Sequence, residues 1–85
     1  MTHTPGPWHV GTGWIYAGTP LTPVKICEVP NYPYGRTEAN SFLLAAAPDL
    51  LQAARLVVSR WVQGDLAEAV RELDDAIAKA EGGKL

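Results

Sequence analysis

Residues 38–51, EANSFLLAAAPDLL, decide how the second half of the chain folds. Alanine and leucine are strong helix formers, whereas proline interrupts a helix but suits its first turn. Thr37 is a typical helix N-cap, and the helix dipole favours an acid such as Glu38 in a first turn. The stretch predicts one helix over 38–46 and another that begins at Pro48, and it leaves open whether the chain breaks or kinks there.

Two amphipathic helices are predicted in the remainder of the chain. Apolar residues recur at helical spacing in both, and Gly64 between them is a typical C-terminal stop. Asp65 and Glu68 resemble a capping box at the start of the last helix, which a glycine pair ends at 82–83. The connection is short, so the two helices are expected to be antiparallel neighbours. The apolar stripes comprise Leu50, Leu51, Ala54, Val57, Val58 and Trp61, then Leu66, Ala69, Val70, Leu73, Ala76, Ile77 and Ala80.

The first half of the chain predicts short strands. Aromatic and β-branched residues favour strands at Trp8–Val10, Trp14–Ala17 and Val24–Val29. The third of these alternates strictly, so each face of that strand is expected to hold every second residue. The two faces are Val24, Ile26 and Glu28, and Lys25, Cys27 and Val29.

The composition of the chain changes near residue 36. Residues 1–36 hold six of the seven prolines and five of the eight glycines, whereas residues 37–85 are rich in alanine and leucine. At this length the two halves are expected to share one core, because two or three short strands need a packing partner. The predicted fold class is α+β: a small antiparallel β-meander from the N-terminal half packed on two or three C-terminal α-helices, as a single domain 1–85.

Length and charge argue against several classes of protein. The chain has 85 residues, a formal net charge of -2 and one cysteine, Cys27. An internal disulfide and a multi-cysteine zinc site are therefore excluded, and the mildly acidic balance argues against general nucleic-acid binding. No stretch approaches the roughly 20 apolar residues of a membrane span, and the N-terminus lacks the features of a signal peptide. We expect no membrane contact and a cytoplasmic location.

The residues that could carry catalysis form no recognisable constellation. His3 and His9 with Cys27 make a poor ligand set for a metal, and a nucleophilic pair of Cys27 and His9 lacks a motif. Asp74-Asp75 is expected to be a solvated helix face. We therefore predict no catalytic residue, no metal and no cofactor, and a protein that is not an enzyme.

Aromatic residues of the first half, with Arg36 behind them, are the candidate binding residues. Flat rings offer stacking faces to a base, and an arginine fork suits a phosphate. The simpler interpretation of Trp8 and Trp14 is core packing between sheet and helices, whereas tyrosines in a proline-rich loop favour an exposed recognition surface. Asn40 is expected to hold the preceding loop rather than a ligand. The candidate ligand-binding residues are Trp8, Trp14, Tyr16, Tyr32, Tyr34, Arg36 and Asn40.

Three segments carry a resemblance to a known family. Residues 38–51 resemble the Glu-Ala-Asn…Ala-Ala-Ala-Pro-(Asp/Glu)-Leu-Leu segment of small proteins encoded by bacteriophages and prophages. The opening Thr4-Pro5-Gly6-Pro7-Trp8 and the late Ala76–Ala80 are similar to the same proteins. The resemblance implies a phage origin and a location in the host cytoplasm, but no assigned activity. Phage accessory genes of this size often encode proteins that blunt host defence.

Two classes of function remain after these exclusions. The leading hypothesis is a non-enzymatic counter-defence protein that sequesters a nucleotide-type immune signal, such as a cyclic nucleotide or an ADP-ribose derivative. The alternative is a protein-binding inhibitor of a host defence complex, similar to an anti-CRISPR protein, or an accessory protein of the virion or of replication. Surplus apolar residues on the second helix also predict a homo-oligomer that associates through the helices.

Overall fold

The computed structural model describes residues 3–30 and 37–83, and it places three strands before three helices. The α+β fold class predicted from the sequence is confirmed. The strands form an antiparallel sheet in the order β1-β2-β3. The elements are β1 (Trp8–Val10), β2 (Trp14–Gly18), β3 (Pro23–Glu28), α1 (Thr37–Ala45), α2 (Ala47–Trp61) and α3 (Ala67–Ala80).

The strict alternation predicted for β3 is interrupted by a bulge. Cys27 pairs with Ile15, but the next residue of β2, Tyr16, pairs with Lys25, so Ile26 is the extra residue. A bulge of this kind sets two residues of one strand against one of its partner. Cys27 and Lys25 therefore face opposite sides of the sheet, and the prediction that they share a face is wrong.

The chain kinks between α1 and α2 without losing its backbone hydrogen bonds. Only Ala46 separates the helices, which are bent by 45°. The Ala46 amide donates to the carbonyl of Phe42, and the Leu50 amide donates to the carbonyl of Ala46. Pro48 lies in the first turn of α2, as its ring requires. No single described helix is long and apolar enough to cross a membrane; α1 and α2 reach that length and composition only together.

The helices α2 and α3 form an antiparallel hairpin. Gly64, in the left-handed conformation at φ 75°, donates its amide to the carbonyl of Arg60 and ends the helical turn. The predicted capping box is wrong, because the residue that caps α3 is Leu66 and it makes no side-chain capping bond. Asp65 and Glu68 instead approach the Arg60 guanidinium, at 3.8 and 3.7 Å. Both carboxylates are exposed, so these charge contacts contribute little to stability.

Small residues build most of the buried interior. Ile15, Val29 and Ala45 form the core between sheet and helices, with Trp8, Ile26 and Cys27 packed against them. Ile15 is the largest side chain that is fully buried among the described residues. Small side chains let the backbones of the helices approach closely at the contact between them, which we call the seam. Besides Ala45, the buried alanines of the helical half are Ala46, Ala53, Ala69 and Ala76.

The N-terminal segment, residues 4–8, packs against the first turn of α2. A Cβ placed on Gly6 would lie 2.9 Å from both the Cβ and the Cγ atoms of Pro48. The Trp8 indole donates its Nε1 hydrogen to the Thr4 carbonyl at 3.1 Å, which folds the segment back on itself. Two of the segments that carry the phage resemblance, residues 4–8 and 38–51, therefore contact each other.

Candidate functional site

The two faces of the sheet have different neighbours. Ile15 and Ala17 are buried on the face that meets the helices, and Trp8 pairs with Ala17 on that same face. Because successive residues of a strand face opposite sides, Tyr16 and its partner His9 lie on the other face. We call this second face, away from the helical core, the outer face of the sheet.

An aromatic row crosses the outer face. The ring centroids of His9 and Tyr16 are 5.2 Å apart, and those of Trp14 and Tyr16 are 5.5 Å apart. These separations are within the range of favourable ring contacts. The Trp14 indole also covers the backbone of Gly11, where a Cβ would lie 2.6 Å from Nε1. All three rings of the row are half-buried, so part of each ring surface stays accessible.

An ion pair stands beside the aromatic row. Lys25 pairs with Tyr16 across the sheet, and its Nζ atom lies 2.5 Å from an Oε1 oxygen of Glu28. The hydrogen bond from Lys25, reinforced by its charge, holds the pKa of the Glu28 carboxyl below the ordinary value of 4.5. The carboxylate therefore neutralises the lysine at neutral pH, and this part of the outer face carries little net charge.

A cleft of about 650 Å³ opens along the free edge of β1. It lies between that strand and the C-terminal ends of α1 and α3, and its walls are largely apolar. His9 and Tyr16 line it as well, so the aromatic row and the cleft form one continuous surface. The lining residues are Trp8, His9, Val10, Tyr16, Phe42, Ala45, Asp75, Ala78, Lys79, Gly82 and Gly83.

Three of the possible anion-binding groups of the cleft, the Lys79 ammonium and the amides of Gly82 and Gly83, are engaged within the protein. The Lys79 Nζ atom lies 2.9 Å from a carboxylate oxygen of Asp49. The amides of Gly82 and Gly83 donate to the carbonyls of Lys79 and Ala78. The end of α3 that borders the cleft is the negative end of its dipole, which disfavours an anion. The cleft is therefore suited to a planar apolar group better than to a phosphate.

A second, smaller cleft of about 380 Å³ lies where the N-terminal segment meets α2. Pro5, Gly6 and Pro7 form one wall, and Asp49 and Arg55 contribute charges of opposite sign. Among the described residues that line this cleft, His3 is the only one with an aromatic ring. The cleft beside β1 is thus the better candidate for a ligand with a flat ring.

The structure brings only some of the predicted binding residues together. Trp14 and Tyr16 lie side by side on the outer face, and Tyr16 also lines the cleft. Trp8 lies on the opposite face, where it packs against the core and lines the cleft from the edge of β1. Asn40 is exposed on α1. Tyr32, Tyr34 and Arg36 lie outside the described residues.

Sequence reasoning missed most of the residues that line the cleft, among them His9, Phe42 and Lys79. His9 was assigned no binding role, although it pairs with Tyr16 across the sheet. Phe42 and Lys79 come from helices, and their place beside β1 follows only from how the helices pack. Alternation along β1 was the available signal for His9, since a register in which it faces Tyr16 puts both rings on one side.

The described residues contain no group of three or more His, Cys, Asp or Glu side chains able to hold a metal ion. Cys27 is half-buried on the helical side of the sheet, whereas His9 lies on the outer face. The two are therefore separated by the sheet and do not form a pair.

Comparison with known proteins gives a match along nearly the whole chain. A family model described as Salmonella phage P22 protein Y8K6 matches residues 1–84. No curated protein matches the chain, and no solved structure does. The match confirms the expected origin in a small phage protein family, while residues 38–51 as the signature of that family stay a prediction.

Proposed function

Since the chain belongs to the family described as Salmonella phage P22 protein Y8K6, we propose that it is a phage counter-defence protein that binds and sequesters a nucleotide-type signal. The ligand class is a cyclic nucleotide or an ADP-ribose derivative, taken up in the host cytoplasm. Sequestration removes the signal in proportion to the amount of protein and demands no catalytic group. The proposal accordingly describes a binding protein and not an enzyme.

The observation that carries the proposal is the junction of the aromatic row with the cleft. His9 and Tyr16 belong to both, so a ligand seated in the cleft would lie against a ring face. Stacking of a base on an aromatic side chain contributes about 1–3 kcal/mol and tolerates any base. The cleft volume of about 650 Å³ lies within the range usual for small-molecule sites.

The charges of the described residues favour recognition of the ring over recognition of the phosphate. Glu28 neutralises Lys25 on the outer face, and Asp49 neutralises Lys79 at the cleft. A phosphate group would have to compete with these carboxylates for either lysine. Arg36, which lies outside the described residues, is the remaining cation proposed from the sequence to meet the phosphate.

A protein partner is the second candidate, and the acidic surface of α3 favours it. The helix carries Glu68, Glu72, Asp74 and Asp75, all exposed. Such a surface suits a basic region of a host defence complex. Arg60 already approaches Glu68, and Arg71 and Lys79 interrupt the acidic surface, so we rank this function second.

Native mass spectrometry with a panel of cyclic nucleotides, linear nucleotides and ADP-ribose compounds tests the proposal. We expect one member of the panel to bind and to be released with its mass unchanged. Removing the ring with Tyr16→Ala should weaken binding by about 5- to 150-fold, which corresponds to the loss of one stacking contact. The matched variant Tyr16→Phe keeps the ring and should bind within a few-fold of the unaltered chain.

Two results would contradict sequestration at this site. One is equal binding by Tyr16→Ala and Tyr16→Phe, with circular dichroism confirming that both are folded. The other is the absence of any bound mass across the panel, which would favour a protein partner and lead to a pull-down from host lysate.

A further inference from the structure

The hairpin of α2 and α3 leaves one broad apolar face uncovered. Val58 and Trp61 on α2 are 73% and 69% exposed, and Val70 on α3 is 55% exposed. These residues lie at helical spacing with other apolar side chains, and none of the set is charged. We define the hairpin face by its residues: Leu50, Ala54, Val57, Val58, Trp61, Leu66, Val70, Leu73 and Ile77.

The two helices turn their apolar sides in the same direction. Ala53 on α2 and Ala69 and Ala76 on α3 are buried in the seam between them. At about 100° per residue, Val57 and Trp61 follow the seam on one side of α2, and Val70 and Ile77 follow it on one side of α3. In an antiparallel pair these two sides belong to the same surface. The carboxylates of Glu68 and Glu72 line a groove with Arg55 on the other side.

The chain exposes far more surface than a compact monomer of its mass. Its accessible surface is 6339 Å² for 9.1 kDa, whereas a monomer of that mass exposes about 4,900 Å². Its radius of gyration of 14.4 Å also exceeds the roughly 12 Å expected for the length. The surplus of about 1,400 Å² is larger than the roughly 800 Å² that each partner buries in a standard interface.

We propose that the hairpin face is the interface of a homodimer, in which two hairpins pack face to face as a four-helix bundle. We assign a second copy to this face because the surplus of exposed surface is a property of every folded chain, so a copy of the same chain is always present to cover it. Ile15 is the largest fully buried side chain among the described residues, so the chain alone buries few large apolar groups. The large apolar side chains of the helices are therefore left exposed in a single folded copy. A two-fold axis lets the same uncharged surface cover itself without opposing like charges.

The dimer and the proposed ligand site stand on separate observations. The hairpin face is formed by the outward sides of α2 and α3, whereas the cleft is formed by the edge of β1 and the ends of α1 and α3. Failure of nucleotide binding therefore leaves the dimer unaffected, and a monomeric protein leaves the binding proposal unaffected.

Sedimentation velocity and light scattering of the full chain test the dimer. We expect about twice the 9.1 kDa chain mass at micromolar concentration, and a melting temperature that rises with protein concentration, as for any dimer that dissociates on unfolding. Val58→Glu places two carboxylates in an uncharged interface and should weaken dimerisation by about 100-fold or more. Leu21, 93% exposed in the loop after β2, offers the matched change Leu21→Glu, which should leave the dimer intact.

The outcomes separate the possible occupants of the face. A mass of 9.1 kDa with a melting temperature independent of concentration overturns the proposal, and so does an oligomer that Val58→Glu and Leu21→Glu affect equally. Binding of the unaltered monomer to lipid vesicles would assign the face to a membrane surface and would also overturn it. The concentration dependence needs no variant, so the test holds even if Val58→Glu fails to fold.

Discussion

Replacing Gly6 with alanine should weaken the packing of the N-terminal segment against α2 and lower the free energy of unfolding. The new Cβ would lie 2.9 Å from two carbons of the Pro48 ring, where ordinary contacts are 3.4 Å or more. The ring is buried and rigid, so it cannot move aside as the end of a flexible side chain would. Overpacking of this kind typically costs about 1–3 kcal/mol. Alanine also restricts the unfolded chain, which returns about 0.4–1 kcal/mol.

The net expectation for Gly6→Ala is a loss of about 1–2 kcal/mol in the free energy of unfolding. For a domain of this size that loss lowers the melting temperature by roughly 5–15 °C. Urea unfolding followed by circular dichroism measures the free energy, and it is done at one fixed protein concentration because a dimer's apparent stability depends on concentration.

A double-mutant cycle with Pro48→Ala identifies the cause of the loss. Pro48→Ala removes Cγ, one of the two ring carbons that the new Cβ meets at 2.9 Å, and keeps the other, Cβ. Gly6→Ala should therefore cost about 0.5–1 kcal/mol less in that background. Equal cost in both backgrounds would refute the steric reasoning. So would a Gly6→Ala variant as stable as the unaltered chain.

Two further predictions concern the seam and the outer face. Ala53 is 1% exposed between α2 and α3, so Ala53→Leu should lower the free energy of unfolding, measured in urea, by about 1–3 kcal/mol. The same change at Ala39, an exposed position of α1 outside the hairpin face, should cost less than about 1 kcal/mol, and equal losses would argue against close packing at Ala53. Because Lys25 lowers the pKa of Glu28 from 4.5, the stability that this pair contributes is present above pH 4.5 and is lost as the pH falls through the lower folded pKa. Carbon-13 NMR titration of the Glu28 carboxyl should give a midpoint below 4.5 that Lys25→Met raises, and an unchanged midpoint would contradict the assignment.

Local chemistry made much of the fold predictable. The aromatic and β-branched residues of β1 and β2 can be assigned to strands without knowledge of their neighbours. Pro48 and Gly64 likewise act through their own backbone restrictions, and the structure has a helix start at one and a helix end at the other. Features of this kind depend on a few adjacent residues, which a sequence displays directly.

The predictions for β3 and for the start of α3 were wrong because both features depend on residues that are distant in the sequence. The bulge at Ile26 depends on how β3 pairs with β2, and alternation along β3 alone cannot reveal it. Asp65 and Glu68 had the spacing of a capping box, but Arg60 from the preceding helix draws both carboxylates. The N-cap of α3 is Leu66, one residue after the position that a capping box requires, and the spacing of the two acids alone does not reveal this register.

The candidate site was predictable only in part for the same reason. Trp14 and Tyr16 are two residues apart on one strand, so their shared face follows from alternation. Trp8 carries the same side chain as Trp14 but lies on the opposite face, because the hairpin register sets Trp8 against Ala17. Lys79 reaches the cleft through the packing of α3, which no local pattern encodes.

The position of the cleft in the chain has a consequence for synthesis on the ribosome. One wall comes from Trp8, His9 and Val10 and the other from α3 and the residues after it, so the walls are about 70 residues apart. At 5–20 residues per second, a ribosome adds those residues in roughly 4–14 s. Throughout that interval β1 has been synthesised but its opposite wall does not yet exist. A nascent chain therefore cannot take up a ligand in the cleft until the end of α3 has left the exit tunnel, and binding begins only after translation of that segment.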